Sequence, residues 1–476
     1  MARRVAALAG LALLAAALRL LQAGDGLLGD ELATLYDVRR SFGDLIGLLH
    51  RTDPVSTEFT PPLFFSLAWL ADHVLGGVTA IRAPSLLAAV ALVPALWALG
   101  RRTFGEGAGF VAAGAWALSP FAIYYGSEAR AYALLALLSA LSTLALLGAL
   151  RDGGRGRWAL VAVLAAAVVY THYTGAMVIL AQAAWALVAH PAQRRAVLLA
   201  HAGAALLFLP WLPFVRSEET LVIYASVGPS DPIGYVREAL RAFPGHPYRE
   251  LSDVPGLLAA ALVGGAIAVG AAFAARRPPR RGLLGLFAAL AVATPLGLLL
   301  LGAVSDGTPF LARSLAPSLP AVLLLAGAAL TAPPRRVAAG LIAVALAGMS
   351  VGAVRASERT NRRPAYDELA AFVDARARQG EPVLVFTPFD PRTAGATYMA
   401  VQFRRPHPER RFGIAGEAVW TDPGLRAEQV FAVLPRTVGV AWLRRPPGPP
   451  GRYAAVEERA VAGLGSGDRV VRFARR

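Results

Sequence analysis

Apolar residues run in long blocks through most of the chain, separated by short turns rich in arginine. Blocks of about 18–22 residues match a hydrocarbon layer ~30 Å thick at 1.5 Å per helical residue. In order, eleven candidate spans cover 5–23, 82–100, 107–125, 131–150, 158–171, 174–190, 197–215, 255–275, 282–303, 314–332 and 337–354. Two stretches depart from this pattern. Between Asp30 and His50, Leu32, Leu35, Val38, Phe42, Leu45, Ile46 and Leu49 recur at three- and four-residue steps. That spacing predicts one amphipathic helix lying in the membrane surface. Pro61 to Leu75 is largely apolar but would reach only about 22 Å as a helix, so a second surface helix is expected there.

The arginines test this count independently. With 61–75 left in the surface, Arg3/Arg4, Arg101/Arg102, Arg151/Arg155/Arg157, Arg194/Arg195, Arg276/Arg277/Arg280/Arg281 and Arg335/Arg336 all fall on one side. The positive-inside rule makes that side cytoplasmic. The N-terminus is then cytoplasmic and residues 355–476 lie outside. Four other outer stretches follow: 24–81, 126–130, 216–254 and 304–313. The third is rich in Pro, Tyr and His (Tyr224, Tyr235, His246, Tyr248), as a cover over a site would be. A Thr171-His172-Tyr173-Thr174 turn reaches the same face. Polar and ionisable groups thus gather on one side, whereas the cytoplasmic turns carry arginine anchors.

From about 355 the composition shifts, dividing the chain into a membrane domain, 1–354, and a second domain, 355–476. Tyr366 to Arg378 reads as a helix closed by Gly380. Val383–Phe386, Val438–Leu443 and Val470–Phe473 read as strands, and Pro446–Pro450 as a loop. A small extracytoplasmic α/β domain is predicted. It holds 21 arginines against 13 acidic residues. That surface would sit near anionic headgroups or meet an anionic glycan or lipid.

Composition narrows the class. The chain has 476 residues, 56% hydrophobic and 16% charged, with mean hydropathy +0.51, which excludes an ordinary soluble enzyme. The net charge of +16 is carried by arginine without any lysine. There is no cysteine, so disulfides, thiolate metal sites and cysteine nucleophiles are excluded. No nucleic-acid partner is expected. Arg19 interrupts the first apolar block, and no small-residue cleavage site follows, so an uncleaved span is preferred to a signal peptide.

Two carboxylates, Asp30 and Glu31, stand where the chain leaves the first span, a costly position that asks for a reason. Asp30 could cap the following helix while Glu31 favours its positive end. Alternatively, the pair supplies a catalytic base at the mouth of a membrane cavity.

A specific resemblance weighs on that choice. Gly29-Asp30-Glu31 after the first span, Pro61-Pro62-Leu63-Phe64-Phe65, and Arg101-Arg102-Thr103-Phe104-Gly105 occur in that order. Ser119-Pro120-Phe121, Tyr124-Tyr125-Gly126-Ser127-Glu128-Ala129-Arg130-Ala131-Tyr132, the Thr171–Thr174 turn and Phe208-Leu209-Pro210-Trp211-Leu212-Pro213 follow. This ordered set, over roughly 5–350, resembles the dolichyl/polyprenyl-phosphate-mannose–protein mannosyltransferases. It is most similar to their bacterial branch of aminoarabinose and rhizobial lipopolysaccharide core transferases, within the GT-C superfamily. Thr60 stands where the family often has His before Pro-Pro, so no role of that histidine is carried over.

The resemblance implies an all-α, GT-C-like membrane protein of about eleven spans, with surface helices in its first outer loop, acting as an inverting glycosyltransferase in the cytoplasmic membrane. The donor would be a polyprenyl-phosphate-linked sugar, and the acceptor an envelope glycan, lipid or protein on the outer face. Asp30 would be the general base, with Glu31 positioning it or the acceptor. Arg130 and Arg313 are the outer-face cations that could steady the departing phosphate. Glu128 falls at the family's second acidic position, and Tyr132, four residues on, would share a helix face with it. His172 and Tyr173 are candidates for contact with the lipid phosphate. Each has a plainer reading: Glu128 serving a helix dipole, Arg130 snorkelling, His172 hydrogen-bonded in the core. His201, in mid-span, reads as structural. No Asp-x-Asp or His-x-x-x-His signature appears, and a divalent cation is left open. The competing readings are a transporter or flippase, which would place ionisable groups at mid-membrane, and a non-catalytic polyprenol-binding envelope protein.

Overall fold

The computed structural model describes residues 2–27, 30–50, 60–215, 232–245, 247–248, 250–276, 281–304, 311–379, 381, 383–387, 407, 409–413, 429–434, 453–460 and 469–475. By internal contacts the chain divides into two compact units. The first holds residues 1–23, 37–51 and 58–357. The second joins the short stretch 24–36 to the C-terminal residues from 358 onward.

The first unit is a helical membrane bundle. Among the described residues, eight helices are long and apolar enough to cross a bilayer: 2–23, 80–103, 132–152, 191–214, 257–276, 282–303, 312–331 and 335–357. The block expected at 107–125 is a bent pair, α6 (Glu106–Leu118) and α7 (Pro120–Gly126), at 64°. Counted as one, it makes nine. The cause of the bend is local. Ser119 is extended, as the residue before a proline prefers to be, and its hydroxyl accepts from Ala122 N to start a new helix with Pro120 in its first turn. Two other expected spans are α9 (Arg155–Thr171) and α10 (Gly175–Ala189), with 17 and 15 residues. They come to about 25 and 22 Å and do not qualify on length alone. Leu87 and Val188, each over 70% exposed, belong to outward faces that only lipid would cover. The 312–331 segment is the most enclosed of the eight.

Close approach of backbones holds the centre together. A Cβ at Gly100 would sit 2.3 Å from Gly109 Cα, so α5 (Ala83–Thr103) meets α6 where both lack side chains.

Helices are present at both stretches expected between the first two spans, with one correction. The 30–50 run is not continuous: it forms α2 (Asp30–Val38) and α3 (Phe42–His50). Ser41 makes the break, because its hydroxyl accepts from Asp44 N at 3.1 Å and donates to Asp44 Oδ2 at 2.6 Å, opening a fresh helix. The Pro-Pro segment is α4 (Pro62–Leu75), 14 residues long and too short to span.

In the second unit, a helix over Tyr366–Arg376 packs Tyr366, Leu369, Phe372 and Val373 against Val383, Phe431 and Val470 of a sheet. Five strands, β1 (Val383–Thr387), β2 (Glu409–Gly413), β3 (Gln429–Leu434), β4 (Tyr453–Ala460) and β5 (Arg469–Arg475), lie in the order β2-β1-β3-β5-β4. β1 runs parallel to β2 and β3, and β5 antiparallel to β3 and β4. The expected strands at 383 and 470 are found. The strand expected at Val438–Leu443, the Pro446–Pro450 loop, the closing Gly380, and Tyr224 and His246 of the expected cover lie outside the described residues.

Candidate functional site

The first span leads directly to the acidic pair, and buried side chains fix its end. Arg82 Nη1 donates to Ala23 O at 2.8 Å, satisfying a carbonyl at the C-terminus of α1 (Ala2–Ala23). Gln22 Nε2 donates to Ala356 O at 2.9 Å and does the same for the helix over Arg335–Ser357. Arg19, fully buried, donates to Trp116 O at 2.9 Å and Ala117 O at 3.2 Å. Those carbonyls end α6 just before the Ser119-Pro120 break, where Pro120 has no N–H to offer. A Cβ at Gly126 would lie 2.6 Å from Arg19 Nε, so glycine at the end of α7 leaves room for the guanidinium.

Within the second unit, Asp30 and Glu31 form the first turn of α2, where the helix dipole favours negative charge. Asp30 is the first helical residue rather than the residue before it, and Gly29 lies outside the described residues. The two acids differ. Asp30 is half-buried, whereas Glu31 is fully buried and ion-paired with Arg363, also fully buried, at 3.2 Å. Asp25 is bound in turn by Arg362.

Within the bundle, Glu128, Arg130, Tyr132, His172 and Tyr173 come from two turns. Glu128 and Tyr132 do not share a helix face. Ser127 turns its hydroxyl back to Ile123 O and Tyr124 O at 2.9 Å and closes α7, and Arg130 N bonds Glu128 O at 2.8 Å. Glu128 and Arg130 therefore sit in a bend, both buried, and Tyr132 opens α8 (Tyr132–Asp152). The Tyr132 ring lies 5.2 Å from Tyr125 and 6.1 Å from His172, with the Arg313 guanidinium 5.8 Å from its centre. Glu128, Arg313, Tyr124 and Tyr132 all act electrostatically on the Tyr125 phenol. The Arg130 guanidinium lies 5.8 Å over Phe65 of α4, and Ser85 holds its carbonyl at 2.9 Å.

His172 follows the end of α9 and receives Thr174 N at 3.2 Å on Nδ1, with Thr174 Oγ1 at 2.9 Å. Tyr173 accepts from Trp211 Nε1 at 3.2 Å. His201 stays within its own helix, Nδ1 lying 2.8 Å from Val197 O. Sequence reasoning missed Tyr125, Trp211, Arg362 and Arg363. It met Arg19 only as a blemish in an apolar run, although an arginine inside a span is itself a signal. Among the described residues no cluster of three His, Asp or Glu side chains could hold a metal ion.

Such a helical bundle, with a basic, tyrosine-lined, acidic turn between its helices, is that of a polytopic membrane protein. Residues 60–215 match the family model described as dolichyl-phosphate-mannose-protein mannosyltransferase, about a third of the chain. No curated protein sequence matches it. Among solved structures it is similar to ArnT from Cupriavidus metallidurans bound to undecaprenyl phosphate, at 16% identity and TM-score 0.60, covering 98% of this chain and 97% of that one. The oligosaccharyltransferase of Archaeoglobus fulgidus with zinc and sulfate shares 15% identity at TM-score 0.55, over 90% of this chain and 67% of that one. The archaeal oligosaccharyltransferase AglB from Archaeoglobus fulgidus, with an inhibitory peptide and a dolichol-phosphate, gives 14% and 0.50, over 90% and 69%.

Proposed function

We propose that the enzyme moves a sugar from a polyprenyl-phosphate-linked donor to a glycan, lipid or protein acceptor of the cell envelope, on the outer face of the cytoplasmic membrane. The observation that carries this is the family match over 60–215, which contains the Glu128–Tyr132 and His172–Tyr173 turns, in a chain whose fold follows ArnT end to end. ArnT was captured with undecaprenyl phosphate and AglB with a dolichol-phosphate. The same class of lipid suits a chain with arginines beside aromatic rings.

The chemistry needs one displacement. The acceptor hydroxyl attacks the anomeric carbon, its proton passes to Asp30, and the bond to the phosphate oxygen breaks with inversion. Arg130 and Arg313 offset the charge gathering on the leaving polyprenyl phosphate. His172 and Tyr173 contact that phosphate, and Glu128 with Tyr132 forms a second acidic site. In topology, α9 and α10 serve as two short spans, giving eleven with the bent pair. The N-terminus is cytoplasmic and the C-terminal domain is exported.

Purified protein with a polyprenyl-phosphate sugar should release polyprenyl phosphate and be inert toward nucleotide sugars. Efficient turnover of a nucleotide sugar without lipid would end this reading. Reporters fused after Arg102 and Arg355 should read cytoplasmic and exported respectively.

A further inference from the structure

The C-terminal domain carries a job that its basic surface does not reveal. In sequence it begins more than 300 residues after the acidic pair, yet residues 24–36 belong to its compact unit rather than to the bundle. Two adjacent arginines make the connection. Arg363 reaches Glu31 at 3.2 Å, with both side chains 0% exposed. Arg362 holds Asp25 with two nitrogens, and Asp25 is itself 4% exposed. The arginine pair is braced from its own side, since Arg359 Nη1 donates to Arg363 O at 2.7 Å. Asp25 lies five residues before Asp30 and Glu31 one residue after it, so the segment bearing Asp30 is gripped on both flanks. Leu27, between the grips, is fully buried.

A charge pair this deep is costly to assemble and weak evidence for stability alone. A guanidinium ion-paired to a carboxylate beside a reactive one is, however, an effective way to set its direction. Glu31 is therefore too enclosed to meet an acceptor and acts through the backbone it shares with Asp30. We propose that Arg363, with Arg362 in support, is a positioning residue: through Glu31 and Asp25 it makes the C-terminal domain hold Asp30 in place. This rests on Asp30 being the base in the reaction proposed above.

The full-length enzyme tests it through two independent readouts. In kinetics, R363M and E31Q should each lower kcat about 10- to 100-fold, with donor KM within threefold, because donor binding falls to other residues. E31Q/R363M should be no slower than the worse single variant, as both changes cut one tie. R363K, which keeps the charge without the planar guanidinium, should recover part of the loss. The second readout needs no substrate. The chain has no cysteine, so a single L27C reports on the grip by its rate of maleimide labelling. Labelling should be slow in L27C itself and at least tenfold faster with R363M added.

Unchanged labelling and kcat in R363M would overturn the proposal, as would a loss confined to donor KM. If R363M does not reach the membrane, E31Q/R363M, which leaves no uncompensated charge, carries the same reading. If the wild-type enzyme fails to use a polyprenyl-phosphate sugar while labelling still depends on Arg363, the reaction is wrong and the anchoring stands.

Discussion

Arg19 in the bundle and Arg363 in the C-terminal unit are both fully buried, and the protein accommodates them differently. Among the described residues, no carboxylate pairs with Arg19. Its N–H groups go to Ala15 O, Trp116 O and Ala117 O, and its charge faces the negative end of α6 with the Trp116 ring 5.4 Å away. Arg363 has a full countercharge in Glu31. The difference follows from the surroundings. At membrane depth a broken helix leaves carbonyls that water cannot reach, and a guanidinium with its five donors satisfies several at once. In the C-terminal unit the carboxylate to be fixed is itself the partner. One arginine repairs a break, and the other ties two distant parts of the sequence.

The largest effect expected separates the two acids beside that tie. Asp30→Asn keeps shape and hydrogen-bond acceptance but cannot take a proton, so transfer should fall by about 10²–10⁴. Membrane insertion should not change, since Asn suits a helix start nearly as well as Asp. Glu31→Gln should cost less than Asp30→Asn. Sugar transfer by quantified protein checks this, with donor binding followed separately. An Asp30→Asn enzyme within threefold of wild type would leave Asp30 as a helix-terminal residue only.

Next come the two arginines themselves. Arg363→Met leaves Glu31 as an uncompensated buried charge and should destabilise the protein by about 3–5 kcal/mol. Adding Glu31→Gln should return much of that, because the pair is then removed together. Arg19→Met leaves only helix-end carbonyls unsatisfied, and should cost about 1–3 kcal/mol. No second deletion should rescue it, whereas Arg19→Lys should restore part, a lysine still donating to carbonyls. Thermal melting in detergent reads all four variants. A carboxylate deletion that rescued Arg19→Met would erase the contrast between the two sites.

How much of this was legible follows the range of the forces. Eight of the eleven expected spans, the short α4 and the helix opening at Tyr366 are written in local hydrophobic period and length, and the structure has them. So was the turn at Thr171–Thr174. The α2–α3 break hung on one residue, Ser41, whose capping outweighed a continuous apolar stripe. The bend at Ser119-Pro120 was visible as a proline, but the family-like run around it read as one span. β2 and β4, with sequences such as Glu409-Arg410-Arg411-Phe412-Gly413, show no strand period, because partner strands rather than local pattern place them. The Glu31–Arg363 tie joins residues 332 positions apart, and no spacing rule addresses that. Asp30 was legible as a candidate through its place after the first span, whereas its surroundings were not.

The smallest effect concerns a half-buried arginine in the same unit, and it sharpens what full burial adds. Arg376 forks onto Glu457 with Nε at 2.8 Å and Nη2 at 2.7 Å, and Arg472 lies 3.7 Å away. The hydrogen bond from Arg376 holds the Glu457 carboxyl below its ordinary range, with the charges of Arg376 and Arg472 adding to it. A carboxyl lowered in the folded state binds its proton less readily there than when unfolded. Its stabilisation is therefore complete above the ordinary value of 4.5 and is lost as pH falls from there through the lower, folded value. At the surface, water screens the pair, so Glu457→Gln should lower the melting temperature at pH 7 by roughly 1–2 °C. The gap should close on acidification, once the carboxyl is neutral in both states. A gap that held constant down to pH 3 would mean that Glu457 stabilises the sheet through packing or an uncharged hydrogen bond. One much wider than that of Arg363→Met would mean that burial does not set the strength of these pairs.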